Sequence, residues 1–184
     1  MLDALLVFVP VLGSPILHAP VLKLDLFRGL KRPLDGGATV RGRRLFGDNK
    51  TWRGAIVMTS GVIAATALLS LWPLYWNHVP SDVRGAGPWL TGFLVGVGVV
   101  VGELPNSFFK RQIGIAPGTQ RRSAGGVLIS IYDQADFVPA VWVLLIPIYA
   151  MSVAQAAIAF GIVAAVHVPI NLIGYALGVR ETAI

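Results

Sequence analysis

Five apolar stretches constrain this chain more than any other feature: Leu2 to Leu22, Gly54 to Trp76, Trp89 to Phe109, Ala135 to Val153 and Ala156 to Gly178. A helix of about 20 mostly apolar residues crosses the roughly 30 Å of bilayer hydrocarbon. In lipid every backbone N–H and C=O needs a partner within the protein, which restricts spanning segments to helices or closed barrels; runs of this length read as helices. The expected fold is an all-α integral membrane protein with about five transmembrane helices, forming one domain over residues 1–184. Composition agrees, since 13% of residues are charged against about 25% in soluble chains. Pro10, Pro15 and His18 interrupt the first stretch. It has no positive n-region and no obvious cleavage site, so it reads as a retained helix rather than a secretory leader. Almost nothing separates the last two stretches, which predicts a tight antiparallel hairpin.

The net charge of +6 suggests nucleic-acid binding until the charges are mapped. Lys23, Arg28, Lys31, Arg32, Arg41, Arg43, Arg44, Lys50 and Arg53 lie between stretches one and two. Lys110, Arg111, Arg121 and Arg122 lie between three and four, and Arg180 follows the fifth. On the other side there is only Arg84. The positive-inside rule then puts both basic loops and the C-terminus in the cytoplasm and the N-terminus outside. Basic excess thus sets topology, with capacity left for anionic headgroups or a nucleotide; no nucleic-acid partner is needed. Cysteine is absent, which excludes disulfides and thiolate metal sites.

Polar chemistry concentrates between Gly102 and Asp136. Glu103, Ser107, Lys110 and Arg111 follow a spacing of i, i+4, i+7 and i+8, which places them on one helix face. Asp133 and Asp136, three apart, share a face if Asp133 begins the next helix. Such groups at membrane depth are costly unless they pair, bind an ion or line a wet cavity. Carboxylates are hard oxygen ligands suited to Mg²⁺. If Glu103 joins Asp133 and Asp136, three of them converge at one cytoplasmic-side pocket. The plainer reading of Glu103 is an ion pair with Lys110 or Arg111. Pro105 is expected to weaken or kink the helix just after Glu103. Gly92 with Gly96, and Gly98 with Gly102, are spaced for close helix approach.

Two loops complete the candidate site. Pro33-Leu34-Asp35-Gly36-Gly37 is turn-rich. Gly47-Asp48-Asn49-Lys50-Thr51-Trp52-Arg53-Gly54 opens the second stretch, with Asp48 or Asn49 as a possible helix cap. Lys50, Arg53, Lys110, Arg111, Arg121 and Arg122 supply cations for phosphates, with Ser107, Thr51 and Asn49 as donors; guanidinium groups grip phosphate oxygens in pairs, and lysine acts as a point charge. Gly114, Gly118, Gly125 and Gly126 permit close backbone approach but match no phosphate-loop fingerprint. His167, Asn171 and Tyr175 read as an interhelical hydrogen-bond cluster.

Taken together, these blocks resemble the CDP-archaeol synthase family of integral membrane cytidylyltransferases, with a reduced likeness to bacterial CDP-diacylglycerol synthases. The resemblance rests on Pro33-Leu34-Asp35-Gly36-Gly37 running to Gly47-Asp48-Asn49-Lys50-Thr51-Trp52-Arg53-Gly54, on Gly102-Glu103 through Ser107-Phe108-Phe109-Lys110-Arg111 to Gly114, on Asp133-Gln134-Ala135-Asp136-Phe137, and on His167 through Asn171 to Gly178. It implies Mg²⁺-dependent transfer of a cytidylyl group from CTP to a lipid phosphate with long apolar tails, releasing pyrophosphate, at the cytoplasmic face of the cell membrane. It further implies Asp133 and Asp136 as metal ligands, with Glu103 where the family usually carries aspartate. Lys110, Arg111, Lys50 and Arg53 become phosphate-binding candidates; Lys110 and Arg111 join the two aspartates as catalytic positions, and Asp48, Asn49, Lys50, Thr51, Arg53 and Ser107 form the substrate-binding set. The competing expectations are a non-catalytic membrane protein that binds anionic lipid or conducts ions, and a headgroup transferase whose nucleotide arrives attached to the lipid.

Overall fold

The computed structural model describes residues 3–116 and 132–176. Its first membrane segment, Asp3–Lys23, is built from α1 (Asp3–Leu6), a 3-10 turn (Val9–Leu12) and α2 (Gly13–Lys23). Pro10 sits in the first turn of the 3-10 piece and Pro20 lies inside α2, so the interruptions read from the sequence segment this helix without ending it. α3 (Trp52–Ser70), α4 (Pro73–Trp76) and α5 (Ser81–Gln112) follow, then α6 (Val138–Leu145) and α7 (Val153–Ala176). Among the described residues, Asp3–Lys23, α3 and α5 are long and apolar enough to cross a membrane. α7 is a fourth long apolar helix, 24 residues in length.

The expected fourth span differs. Only eight residues, Val138–Leu145, are helical, about 12 Å at 1.5 Å per residue. Pro139 lies in the first turn of the helix, and Pro147 lacks the N–H that would continue it, although Ile146 before it keeps helical dihedrals (φ −47°, ψ −41°). Tyr149 N–H bonds back to Leu145 O at 2.7 Å, and Trp142 Nε1 donates to Met151 O at 2.9 Å, which folds the chain toward α7. Asp133 and Asp136 therefore stand in the turn before α6, not on a helix.

The dihedrals of α5 stay helical through Pro105; its break lies at Gly87 (φ 82°, ψ 163°), next to Pro88. The segment from His78 to Pro88, expected from its prolines and glycines to be a short outer loop, is consequently mostly helix, starting at Ser81. Both glycine pairs act as the spacing predicted, but against different partners. A Cβ on Gly96 would lie 3.0 Å from Thr59 Cα on α3, and one on Gly98 would lie 2.8 Å from Val141 Cα on α6. α5 is thus clasped between α3 and α6, and fully buried Val62, Val95, Val138, Val141 and Leu145 fill the joint. Outward-facing residues are apolar too, including Leu68, Leu71, Phe93 and Val143. Exposed Trp52 opens α3 and exposed Trp72 follows its end, about 30 Å apart along a helix, which matches aromatic anchors at two membrane interfaces.

The first loop departs from an all-helical fold. Thr39–Val40 (β1) and Arg43–Arg44 (β2) pair antiparallel around Arg41 (φ 51°) and Gly42 (φ 75°). Two positive φ values in a two-residue connection match the twist of a hairpin.

Candidate active site

Asp35 organises the loop that delivers one half of the site. Its side chain is fully buried and accepts from Arg44 Nη2 (2.6 Å), Gly37 N (3.0 Å), Phe46 N (3.0 Å) and Gly47 N (3.2 Å). Burial alone would raise this carboxyl's pKa, but the guanidinium and the three N–H groups outweigh it and hold the group well below the usual range. Arg44 also pairs with exposed Asp48 at 2.6 Å. The turn then pairs with the chain entering α3: Leu34 N donates to Lys50 O at 2.7 Å and Trp52 N to Arg32 O at 3.0 Å. Thr51 caps the helix, its hydroxyl oxygen accepting from Gly54 N at 3.1 Å. That corrects the expectation of Asp48 or Asn49 as cap. Asp48 is drawn to Arg44, and Asn49 stands exposed.

With the loop so held, Lys50 reaches α5 and forms an ion pair with Glu103. The plainer reading of Glu103 had paired it with Lys110 or Arg111. Lys110 instead pairs with Asp133, and buried Arg111 donates to Ile115 O at 2.5 Å, closing the end of its own helix. Arg53 is 5% exposed and bonded to Asp25 Oδ1 (2.7 Å) and Leu26 O (3.1 Å). Asp25 takes φ 46° just beyond α2, and the Arg53 hydrogen bond lowers its carboxyl's pKa, aided by Lys31 and Arg28. Arg53 therefore ties α2 to α3. Ser107 is buried on α5.

Sequence reasoning missed Asn106. It is buried, and its Nδ2 donates to Asp136 Oδ2 at 2.8 Å and to Asp133 Oδ1. One amide nitrogen thereby draws two like-charged carboxylates together, with Lys110 against Asp133. The signal was available: Asn106 is three residues after Glu103 and four before Lys110, on the face already singled out. Among the described residues no three acidic or histidine side chains group closely enough to hold a metal ion. The anticipated three-carboxylate group divides: Asp133 and Asp136 meet at Asn106, while Glu103 turns to Lys50. The physical reason is that each acid at this depth takes the nearest donor. The two aspartates by themselves are a hard oxygen pair of the kind that suits Mg²⁺.

His18, read from the sequence as an interruption, reaches the start of α3; a Cβ on Gly54 would lie 3.7 Å from its Nε2. His167 Nδ1–H donates to Val163 O of its own helix at 3.0 Å and its ring meets Phe137 edge-on. Arg121 and Arg122 lie outside the described residues, as do the side chains of Asn171 and Tyr175.

The fold and site define a helical membrane protein with paired acids and cations gathered at one end of its long helices. A model of the CarS-like CDP-archaeol synthase family matches residues 16–184, and the chain belongs to that family. It is 37% identical over 161 residues to the CDP-archaeol synthase of Halobacterium salinarum, covering 82% of each chain. It is 30% identical over 166 residues to that of Methanosarcina mazei, covering 82% of this chain and 89% of the other. The solved structure of an intramembrane enzyme for archaeal membrane lipid biosynthesis shares the fold, with a TM-score of 0.66, 24% identity and 94% coverage of both chains.

Proposed function

We propose that this chain transfers a cytidylyl group from CTP to a lipid phosphate of the archaetidic or phosphatidic type. A phosphate oxygen of the lipid attacks the α-phosphorus of CTP, the bond to the β-phosphate breaks, and pyrophosphate leaves. The observation that carries this reading is the Asn106, Lys110, Asp133 and Asp136 cluster at the end of a membrane helix, in a chain of this family. Asp133 and Asp136 would hold Mg²⁺, which when bound supplies charge stabilisation at phosphate oxygens. Asn106 holds the two acids together. Lys110, paired with Asp133, keeps further N–H donors for the triphosphate, as lysine has three. Lys50, with Asn49 and Thr51 beside it in the chain, offers the same from the first loop, and Ser107 follows Asn106 on α5. Positioning and charge stabilisation carry the rate, without a covalent enzyme intermediate.

The basic loops support a cytoplasmic site in the cell membrane, with five crossings, the N-terminus outside and the C-terminus inside. In that topology α6 and the turns around it make up the fourth crossing, shielded by α5 and α7. The test is incubation of the purified protein with base-labelled CTP, Mg²⁺ and a panel of phosphatidic and archaetidic acids. Label appearing in lipid, with equimolar pyrophosphate, is expected. Release of CMP would mark a headgroup transferase, and no transfer to any lipid would leave a binding or conducting protein.

A further inference from the structure

α5 ends at Gln112 in a cap whose own N–H groups satisfy three of the last four helix carbonyls. Ile113 N–H donates to Phe109 O at 3.1 Å and Ile115 N–H to Lys110 O at 2.9 Å. Gly114, at φ 78°, donates its N–H to Arg111 O at 3.1 Å, the pattern that closes a helix around a left-handed residue. The fourth carbonyl, that of Gln112, accepts from Arg43 Nη1 of the β1–β2 hairpin. A guanidinium there also meets the negative end of the helix dipole. Gln112 reciprocates with its side chain, Nε2 donating to Arg44 O at 3.3 Å. The hairpin is itself anchored, because Leu45 N–H donates to Ala38 O at 3.0 Å and Arg44 grips both Asp35 and Asp48.

The first loop therefore meets α5 at two places, Lys50 on Glu103 and the hairpin on Gln112. Glu103 and Gln112 are about 14 Å apart along the helix axis, and Asn106 and Lys110 stand between them. A loop held at one point pivots about it; a second point fixes its direction. We propose that Arg43 and Gln112 are positioning residues, clamping the hairpin to the end of α5 so that Lys50 and Lys110 keep the separation at which both reach the triphosphate of CTP. The inference rests on the cytidylyl-transfer reading and deepens it. Without the clamp the loop is ordered only when the nucleotide binds, and that ordering lowers affinity. Once the triphosphate spans the two ammonium groups their placement is restored. The clamp therefore acts on CTP binding and not on the chemical step.

Equilibrium binding of labelled CTP in the presence of Mg²⁺ tests this. Arg43→Met should weaken binding about tenfold, the size of one charged hydrogen bond, and Gln112→Ala about threefold, the size of a neutral one. The KM for CTP should rise by the same factors, with kcat and the KM for the lipid phosphate within about twofold of wild type. Loss of fold alone lowers the active fraction, and so the apparent kcat, and leaves the KM where it was. The double variant should bind CTP within about twofold of Arg43→Met, because a single clamp is lost only once. An additive loss, or an effect of Arg43→Met with none from Gln112→Ala, would make Arg43 a direct phosphate ligand and overturn the proposal. Wild-type affinity in both single variants overturns it too. The chain lacks cysteine, so spin labels at Val40→Cys and Ile113→Cys, both exposed positions, report the distance from hairpin to helix end directly. The distribution should be narrow, broaden with Arg43→Met and narrow again when CTP is added. A distribution that Arg43→Met leaves unchanged overturns the proposal. A protein that binds CTP but transfers nothing to lipid would defeat the catalytic reading, and the binding and distance comparisons would still decide the clamp.

Discussion

Lys50 and Glu103 stand 53 residues apart in the chain and form an ion pair that fastens the first loop to α5, with about a quarter of each side chain exposed. The pair sits between an exposed bridge, worth at most about 1 kcal/mol, and a buried one, whose rupture costs about 3–5 kcal/mol. A double-mutant cycle of Lys50→Met and Glu103→Gln, read by unfolding in detergent, should return a coupling of about 1–2 kcal/mol. The Mg²⁺ dependence of the rate should be unchanged in Glu103→Gln. A tenfold shift in that dependence would restore Glu103 to the metal.

Asp133→Asn and Asp136→Asn should each lower turnover by roughly a thousandfold, because metal stabilisation supplies several kcal/mol and neither substitution alters side-chain size much. Both proteins should still insert and elute as the wild type does on size exclusion. Near-normal rates at saturating Mg²⁺ would remove the metal from these residues.

Asn106→Ala leaves two neighbouring carboxylates without their shared donor. A hydrogen bond to a charged group contributes about 1.5–3 kcal/mol, so turnover should fall tenfold or more and the Mg²⁺ concentration for half-maximal rate should rise. Measuring rate against Mg²⁺ separates this from simple unfolding, which would lower the amount of active protein without moving the half-maximal concentration.

Asp35 makes the first loop acid-sensitive. Its carboxyl is held below the ordinary range in the folded protein, so the stability it contributes is complete above the unfolded value near pH 4 and is lost as pH falls below it. Amide exchange at Phe46 and Gly47, taken relative to its intrinsic rate at each pH, should therefore be slow at neutral pH and become faster as pH falls below about 4. In Asp35→Asn it should be faster at neutral pH and show no such acid transition. Identical profiles in the two proteins would mean that the loop is held by other contacts.

Gly98→Leu forces a side chain against Val141 and should cost about 3 kcal/mol or more, measured as a lowered unfolding midpoint in detergent. Gly85→Ala, where a Cβ meets nothing within 4 Å, should stay within about 0.5 kcal/mol. Equal effects would show that helix propensity, not the α5–α6 contact, governs both positions.

The membrane segments, the glycine faces of α5 and the identity of the acids and cations were legible because each is a local property. Apolar length, i, i+4 spacing and residue charge can be counted along a chain without knowing its fold. Asn106 was within reach of the same counting. The end of α6 was less so, because Pro147 and the Trp142 and Tyr149 bonds had to override a continuous apolar run. What the sequence by itself determined was which charges must be satisfied at membrane depth. Which partner satisfies each was decided only by the tertiary structure. Lys50 rather than Lys110 meets Glu103 because the Asp35 turn carries the first loop onto α5, and Arg53 meets Asp25 because the chain turns left-handed after α2. Ion pairing depends on distance in space, and these distances are set by loops and packing that no spacing along the chain encodes.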